Sequence, residues 1–434
     1  MLAVVLVAAV IVAGSAAILS TAEEPGSDKL RVVATIYPLY YFSSEVGGDR
    51  TEVSKLIPDN AEPHSWEPTA SDMIKVSKAR VLVYNGAGLE PWLGTVMSAV
   101  SSSDLVAVDS SRNVHLMLSG EVEEMYERAA EALNGTAISL SASPARSDAP
   151  AIDETGYYDV ALADIEGGKG GHLRLVPAED MDLRFFVTSS ADLTISLLDG
   201  TKVECGMESG AVPSHPMFGE VKFVELKAGT EYVLELRSSS DRAGLVVVRA
   251  EHDGGEKHEH GLNDPHFWLD PLSAKVQVRN IMEGFIEADP EHADEYRANA
   301  AGLMERLDAL DRAYAQGLEG RTKNAIITTH EAFNYLAARY GFEAYAATGI
   351  SADAQPSAKD MAALVKMVQD HGLHYVFSDP AYSDAEMRTI ASETGATVLI
   401  LDTAAGRSGI HAGMDYFGIM YANLEQLRIG LEAA

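Results

Sequence analysis

The chain has 434 residues, and 33 Lys+Arg against 65 Asp+Glu leave a formal net charge of −32. That excess of acid excludes a protein that tracks nucleic-acid phosphates, which needs clustered Lys and Arg, and an apolar content of 47% excludes a disordered acidic polymer. Cys205 is the lone cysteine, which excludes an intramolecular disulfide and any Cys-rich zinc or iron-sulfur site, so a transition metal here must be held by His and carboxylates.

Leu2 to Leu19 is an unbroken apolar and small-residue run, followed by Ser20-Thr21-Ala22 as a small-x-small cleavage pattern. Residues 1–26 are therefore expected to be a signal peptide or membrane anchor, with the remainder extracytoplasmic, periplasmic or on the cell surface. The segment has no cysteine, so a lipobox-type anchor is not expected. Residues 27–115 alternate strand-like and amphipathic runs: Arg31 to Ile36 and Arg80 to Tyr84 read as strands and Ser71 to Ala79 as a helix. That alternation predicts a parallel sheet flanked by helices. Residues 116–155 read as a connecting segment, with a short helix over Glu121 to Ala132 and a Ser/Ala/Pro/Asp-rich stretch after it. Residues 156–250 carry seven or so short alternating runs with no helix between them, which predicts an inserted antiparallel β-sandwich. A His-rich loop and the rest of the first lobe occupy 251–290, a long helix 291–320, and a second α/β lobe 321–434.

Four contexts carry candidate ligands. His64 lies in Glu62-Pro63-His64-Ser65-Trp66-Glu67-Pro68, a loop stiffened by two prolines, and by itself reads more readily as a surface or capping histidine than as a ligand. His266 lies between apolar aromatics in Asn263-Asp264-Pro265-His266-Phe267-Trp268-Leu269-Asp270-Pro271, either as a core histidine or as a ligand with Asp270 accepting from its other ring nitrogen. His330 stands where the strand Ile326 to Thr329 hands over to a helix, and Asp402 follows the strand Val398 to Leu401, where it also reads as a helix N-cap. Together, three imidazoles and one carboxylate from two α/β segments would fill a tetrahedral Zn²⁺ site and leave no open position for catalytic water. The segment Glu251 to Gly261 adds His252, His258 and His260 on a glycine-containing acidic loop, either a loose auxiliary metal binder or a solvated loop.

The series Ala61 to Thr69, Tyr84 to Leu93, His266 to Pro271, His330 to Tyr335, Gly349-Ile350-Ser351 with Gln355-Pro356-Ser357, Ser378-Asp379-Pro380 and Leu401-Asp402 resembles the metal-binding solute-binding proteins of ABC importers, the zinc-type cluster A-I or TroA-like group. The resemblance covers about residues 31 to 110 and 256 to 434. It implies an α/β fold of two lobes joined by a long rigid helix, with metal between them. His64 and His266 would come from the first lobe and His330 and Asp402 from the second. It also implies a non-enzymatic, monomeric component of a high-affinity zinc importer that delivers Zn²⁺ to an ABC permease. A histidine at the third ligand position is expected of zinc relatives, and Mn²⁺ or iron is the alternative cargo. A metal-dependent surface adhesin and a zinc hydrolase are further alternatives, the latter opposed by the lack of a His-Glu-x-x-His helix. The chain departs from the family in the 202 positions between His64 and His266, which hold the insert. The insert faintly resembles β-domains appended to secreted proteases, and Asn134-Gly135-Thr136 before it is an N-glycosylation sequon. From the unperturbed His value, metal affinity is expected to fall below about pH 6.5.

Overall fold

The computed structural model describes residues 29–100, 104–188, 191–203, 205–209, 215–249 and 263–433. The N-terminal apolar segment and the loop bearing His252, His258 and His260 lie outside the described residues. The first lobe is built on a parallel sheet of β1 (Leu30–Ala34), β2 (Thr51–Lys55), β3 (Val81–Tyr84) and β4 (Val106–Asp109), in the order β2-β1-β3-β4. Helices α1 (Tyr37–Gly47), α2 (Ala70–Ser77) and α3 (Leu93–Ala99) alternate with these strands. Val81, Leu82 and Val83 are fully buried, as a strand covered on both faces requires. Thr69 starts α2 through a capping box with Asp72, which stops the ligand loop running on into the helix.

Helix α4 (Gly120–Leu133) leads into the insert, which is two sheets. Its strands are β5 (Ile138–Ser141), β6 (Gly156–Ala161), β7 (Ala163–Ile165), β8 (Gly168–Leu175), β9 (Met181–Thr188), β10 (Ala191–Leu197), β11 (Gly206–Ser209), β12 (Phe218–Leu226), β13 (Tyr232–Ser238) and β14 (Arg242–Arg249). One sheet runs β10-β13-β8-β7 and the other β11-β12-β9-β14-β6-β5. Pairing is antiparallel except at the β5/β6 edge, which is parallel and begins earlier than the sequence pattern suggests. Phe185, Val187, Leu193, Ile195, Leu234 and Leu245 fill the space between the sheets, so the insert has its own core. A second cluster, with Tyr126, Phe186 and Phe218, packs α4 on the outer face of the larger sheet.

The chain then returns through α5 (Pro271–Ala288) and α6 (Ala293–Gly317) to a second lobe. That lobe alternates β15 (Ala325–His330), α7 (Asn334–Tyr340), β16 (Glu343–Thr348), α8 (Ala358–Asp370), β17 (Tyr375–Ser378), α9 (Ala385–Thr394), β18 (Thr397–Ile400) and α10 (Tyr416–Gly430). β15 pairs with β16 and β17 with β18, both in parallel. Helix α6 buries Tyr296, Ala300, Leu303, Leu307, Leu310 and Tyr314, steps of four and three that make one continuous stripe. At 25 residues it is about 37 Å long, and its stripe belongs to one apolar core that runs from Leu30 in β1 to Leu431 past α10. Trp268 sits in this core without exposure and donates Nε1–H to Thr403 O at 2.7 Å, while the Tyr416 hydroxyl donates to Trp268 O at 2.6 Å. The two lobes are thereby tied through buried hydrogen bonds as well as apolar packing, which resists sliding of one over the other.

The chain enters and leaves the insert side by side. Leu118 and Asn263 form an antiparallel bridge, and Asp264 N donates to Met117 O at 2.9 Å. Tyr335 clamps the two strands, its hydroxyl accepting from Met117 N at 2.8 Å and donating to Asp264 O at 2.9 Å. Replacing 119–262 by a two-residue Asn-Gly turn is therefore expected to leave a folded protein with zinc affinity within about threefold of the intact chain. Circular dichroism and chelator competition check this, and loss of zinc binding by a folded variant would show that the insert takes part in the site.

Candidate metal centre

His64 and His266 stand 202 positions apart in sequence yet face each other, Nε2 to Nε2, at 3.4 Å. Two nitrogens bound at about 2.05 Å to one tetrahedral ion lie roughly 3.3 Å apart, so this spacing fits a shared zinc. His330 ends β15 with its ring centroid 5.5 Å from that of His266. The His330 ring also meets the Tyr382 ring edge-on, with centroids 5.5 Å apart. His266 and His330 are only 2% and 3% exposed. Ser65, next to His64, donates to Asp353 Oδ2 of the second lobe at 2.7 Å, which pins the His64 loop across the seam. Among the described residues, no three His, Cys, Asp or Glu side chains are already gathered tightly enough to enclose a metal ion.

Local sequence explains how these rings are aimed. Both loops carry an acid, a proline and then the histidine: Glu62-Pro63-His64 and Asp264-Pro265-His266. Proline fixes one backbone torsion, and in each case the acid turns back to accept from the histidine's own N–H, at 3.1 Å for Glu62 Oε1 and 2.9 Å for Asp264 Oδ1. Asp264 Oδ1 also lies 2.9 Å from His266 Nδ1. A proton on Nδ1 satisfies that contact and leaves the Nε2 lone pair directed at His64, an assignment made from the hydrogen-bond network. The aspartate expected in this role, Asp270, is employed elsewhere. It caps α5 by accepting from Leu272 N at 3.2 Å and Ser273 N at 3.1 Å, and it pairs with Arg339. Asp270 precedes Pro271 at the first helical position, and a carboxylate there is drawn to the free N–H groups of the first turn.

Burial lowers the pKa of His266 to about 3, and burial followed by the neighbouring His266 does the same to His330. Both rings are thus held in the neutral, ligating form. Burial raises Asp264 to about 7. The carboxyl of Glu62 is also raised, by burial first.

Asp402 follows β18, as expected, but both of its oxygens are engaged within the second lobe. Oδ1 accepts from Ala404 N at 2.7 Å and Oδ2 lies 2.8 Å from His411 Nδ1. Ala404 adopts a left-handed φ of 55°, and this tight turn folds the backbone onto the carboxylate. Asp379, at the end of β17, accepts from Thr403 N at 3.1 Å, and burial and then the charge of Asp402 raise its pKa to about 7. The fourth ligand expected from sequence therefore lies in a carboxylate–histidine group with His411 and beside Asp379.

A family model described as zinc-uptake complex component A, periplasmic (ZnuA) matches residues 32–166 and 202–430. The chain belongs to the ZnuA family. The break in that match, 167–201, falls inside the inserted sheets. The zinc-binding protein AdcA of Streptococcus pyogenes is 25% identical over 410 residues, which is 94% of this chain and 57% of AdcA, so the chain spans little more than half the length of such relatives. The high-affinity zinc uptake system protein ZnuA of Bacillus subtilis is 25% identical over 420 residues, 96% of this chain and 92% of that protein. Among solved structures, the Zn(II)-bound ZnuA-like domain of Streptococcus pneumoniae AdcA superposes with a TM-score of 0.55 at 21% identity, covering 93% of this chain and 99% of that one. The laminin-binding protein Lmb of Streptococcus agalactiae, a bifunctional protein with adhesin and metal-transporting activity, gives 0.57 at 18% identity over 93% of this chain and 99% of that one. These two likenesses concern the fold.

Sequence reasoning passed over Asp264, Glu62, Tyr382 and His411 in this ZnuA-family chain. The first two had a readable signal, the repeated acid-Pro-His tripeptide. Tyr382 and His411 had none, because their roles come from loops that meet only in the folded second lobe.

Proposed function

We propose that this ZnuA-family chain is the extracytoplasmic zinc-binding component of an ABC importer, which captures Zn²⁺ between its lobes and hands it to a membrane permease. The observation that carries the reading is the pair of Nε2 atoms 3.4 Å apart, brought from distant loops and flanked by buried His330. His64, His266 and His330 are the imidazole ligands. A site of neutral nitrogen donors suits Zn²⁺ over Mn²⁺, which favours oxygen. The mobile cargo reaches the seam from solvent, and the net charge of −32 gives cations a general, salt-screened attraction that does not distinguish metals. Selectivity then resides in the three rings. The protein acts as a monomeric carrier without an enzymatic step, and its place is outside the cytoplasmic membrane. Among the described residues no helix is long and apolar enough to cross a membrane.

Titrating the metal-free protein with Zn²⁺ and Mn²⁺ against a chelator tests this. One zinc per chain, bound at least about 100-fold more tightly than manganese, is the expected result. Preference for Mn²⁺ would reverse the assignment of cargo, and zinc uptake unchanged in a strain lacking the protein would sink the transport role.

A further inference from the structure

The stretch Asn85-Gly86-Ala87-Gly88-Leu89-Glu90 contains none of the candidate ligands, yet it is built more tightly than a surface loop needs. It leaves the carboxyl end of β3, the side on which parallel sheets place their binding sites. Gly86, Ala87 and Gly88 all have left-handed φ, of 78°, 53° and 86°, and for Ala87 that backbone is unfavourable. The loop winds around the buried carboxylate of Glu90, which accepts from Asn85 N at 2.8 Å, Gly86 N at 3.1 Å and the Thr35 hydroxyl at 2.6 Å. What this winding fixes is the side chain of Asn85, which has no exposure. Its Nδ2 donates to Pro265 O at 2.9 Å, across 180 positions, and its Oδ1 accepts from Gln277 Nε2 of α5 at 3.3 Å. Those partners assign the orientation of the amide, with the nitrogen toward carbonyls and the oxygen toward an N–H donor.

Pro265 O and His266 N belong to one peptide group. The oxygen is held by Asn85 and the N–H by Asp264 Oδ1, at 2.9 Å each, while the proline ring fixes the torsion just before it. A metal ligand has to be held to within about 0.5 Å of its working position, and an imidazole follows the peptide plane from which it projects. We infer that Asn85 is a positioning residue for His266: anchored by Glu90, it sets the peptide plane that carries the ring, so that Nε2 is aimed at His64 before metal arrives. This rests on the zinc-binding reading of His64, His266 and His330. Asn85 grips the backbone of a ligand rather than the ion, so its loss changes the geometry of the site and leaves the donor set intact.

The test uses the full chain, with Zn²⁺ in chelator competition and Co²⁺ as a probe whose visible absorption reports ligand geometry. The variants are Asn85→Ala, Gln277→Met, which removes the donor that orients the Asn85 amide, and Asn280→Ala. Asn280 is a buried asparagine one turn along α5 whose amide donates to Ser110 O and Arg112 O, so it controls for lost stability. Asn85→Ala is expected to lose about tenfold in zinc affinity and to shift the cobalt bands, Gln277→Met to do the same to a smaller extent, and Asn280→Ala to lower the melting temperature with zinc affinity within about twofold and the cobalt bands unmoved. Should Asn85→Ala not fold, Gln277→Met decides by itself, and an unchanged affinity and spectrum there would overturn the inference. Unchanged cobalt bands in folded Asn85→Ala would overturn it as well, and so would an equal loss of affinity in Asn280→Ala, since the cluster would then act only through the stability of the lobe. Unchanged zinc affinity in His266→Ala would instead remove the underlying site.

Discussion

Replacing His330 by Ala is expected to weaken zinc binding by more than about 100-fold, since even the outer partners of metal-bound histidines are worth 10–100-fold. His330 is 3% exposed at the end of a fully buried strand, between His266 and Tyr382, so the variant removes a donor that no solvent-exposed side chain can replace. The cavity is lined by rings and is expected to take up water, which keeps the folding cost small relative to the loss of binding. Asp264→Asn tests the supporting layer in the same assay. Its amide can present nitrogen to His266 Nδ1 and favour the wrong tautomer, and a loss of about 10–100-fold is expected. Zinc affinity measured by chelator competition, with the melting temperature of the metal-free forms as control, decides both. An unaltered affinity in His330→Ala would remove that residue from the site.

The second large effect concerns pH. Protons compete with metal only at groups that are protonated in the metal-free protein, so the fall in log affinity per pH unit counts the protons displaced. Three histidines titrating at the unperturbed value would give a slope near three below about pH 6.5. In the folded protein, burial holds His266 and His330 at about 3, so neither carries a proton to displace until the pH approaches that value. The sign is therefore that burial shifts the loss of affinity to lower pH and makes it shallower. The slope between pH 6.5 and 5 is expected to stay below about two, with displaced protons coming from the carboxyls of Asp264 and Glu62, both raised by burial. This differs from the loss below pH 6.5 expected from sequence, because unperturbed values describe exposed rings and these are sealed in a core. Affinity measured at half-unit steps from pH 8 to 5 checks it. A slope near three would mean that His266 and His330 are open to solvent before metal arrives.

Burial also explains how far the sequence could be read. Periodicity located β1, β3, β15 and β18 of the two lobes, the long helix and the run of short strands in the insert, because each is set by the spacing of apolar side chains along a few residues; it passed over β4 and β16. The helix over Ala293–Gly317 is an example: its stripe of Tyr, Ala and Leu at steps of four and three is visible without any tertiary partner. The parallel β5/β6 edge was not visible, since Ile138–Ser141 is mostly exposed and its place is fixed by pairing with β6 rather than by its own pattern.

The sequence by itself determined the chemistry available: a single cysteine left His and carboxylates as the donors, and stiff loops or strand ends marked His64, His266, His330 and Asp402 as candidates. Which donors meet was decided by the tertiary structure. The 3.4 Å approach of His64 and His266 spans 202 positions, across which the insert's entry and exit segments run side by side and are clamped by Tyr335. The choice among carboxylates turned on smaller matters still. Asp264 supports the rear nitrogen of His266, a helix N-terminus claims Asp270, and a left-handed turn at Ala404 directs Asp402 to His411. Residue type sets what a carboxylate can bind, but its competing local partners decide what it does bind, and those partners exist only once the chain has folded.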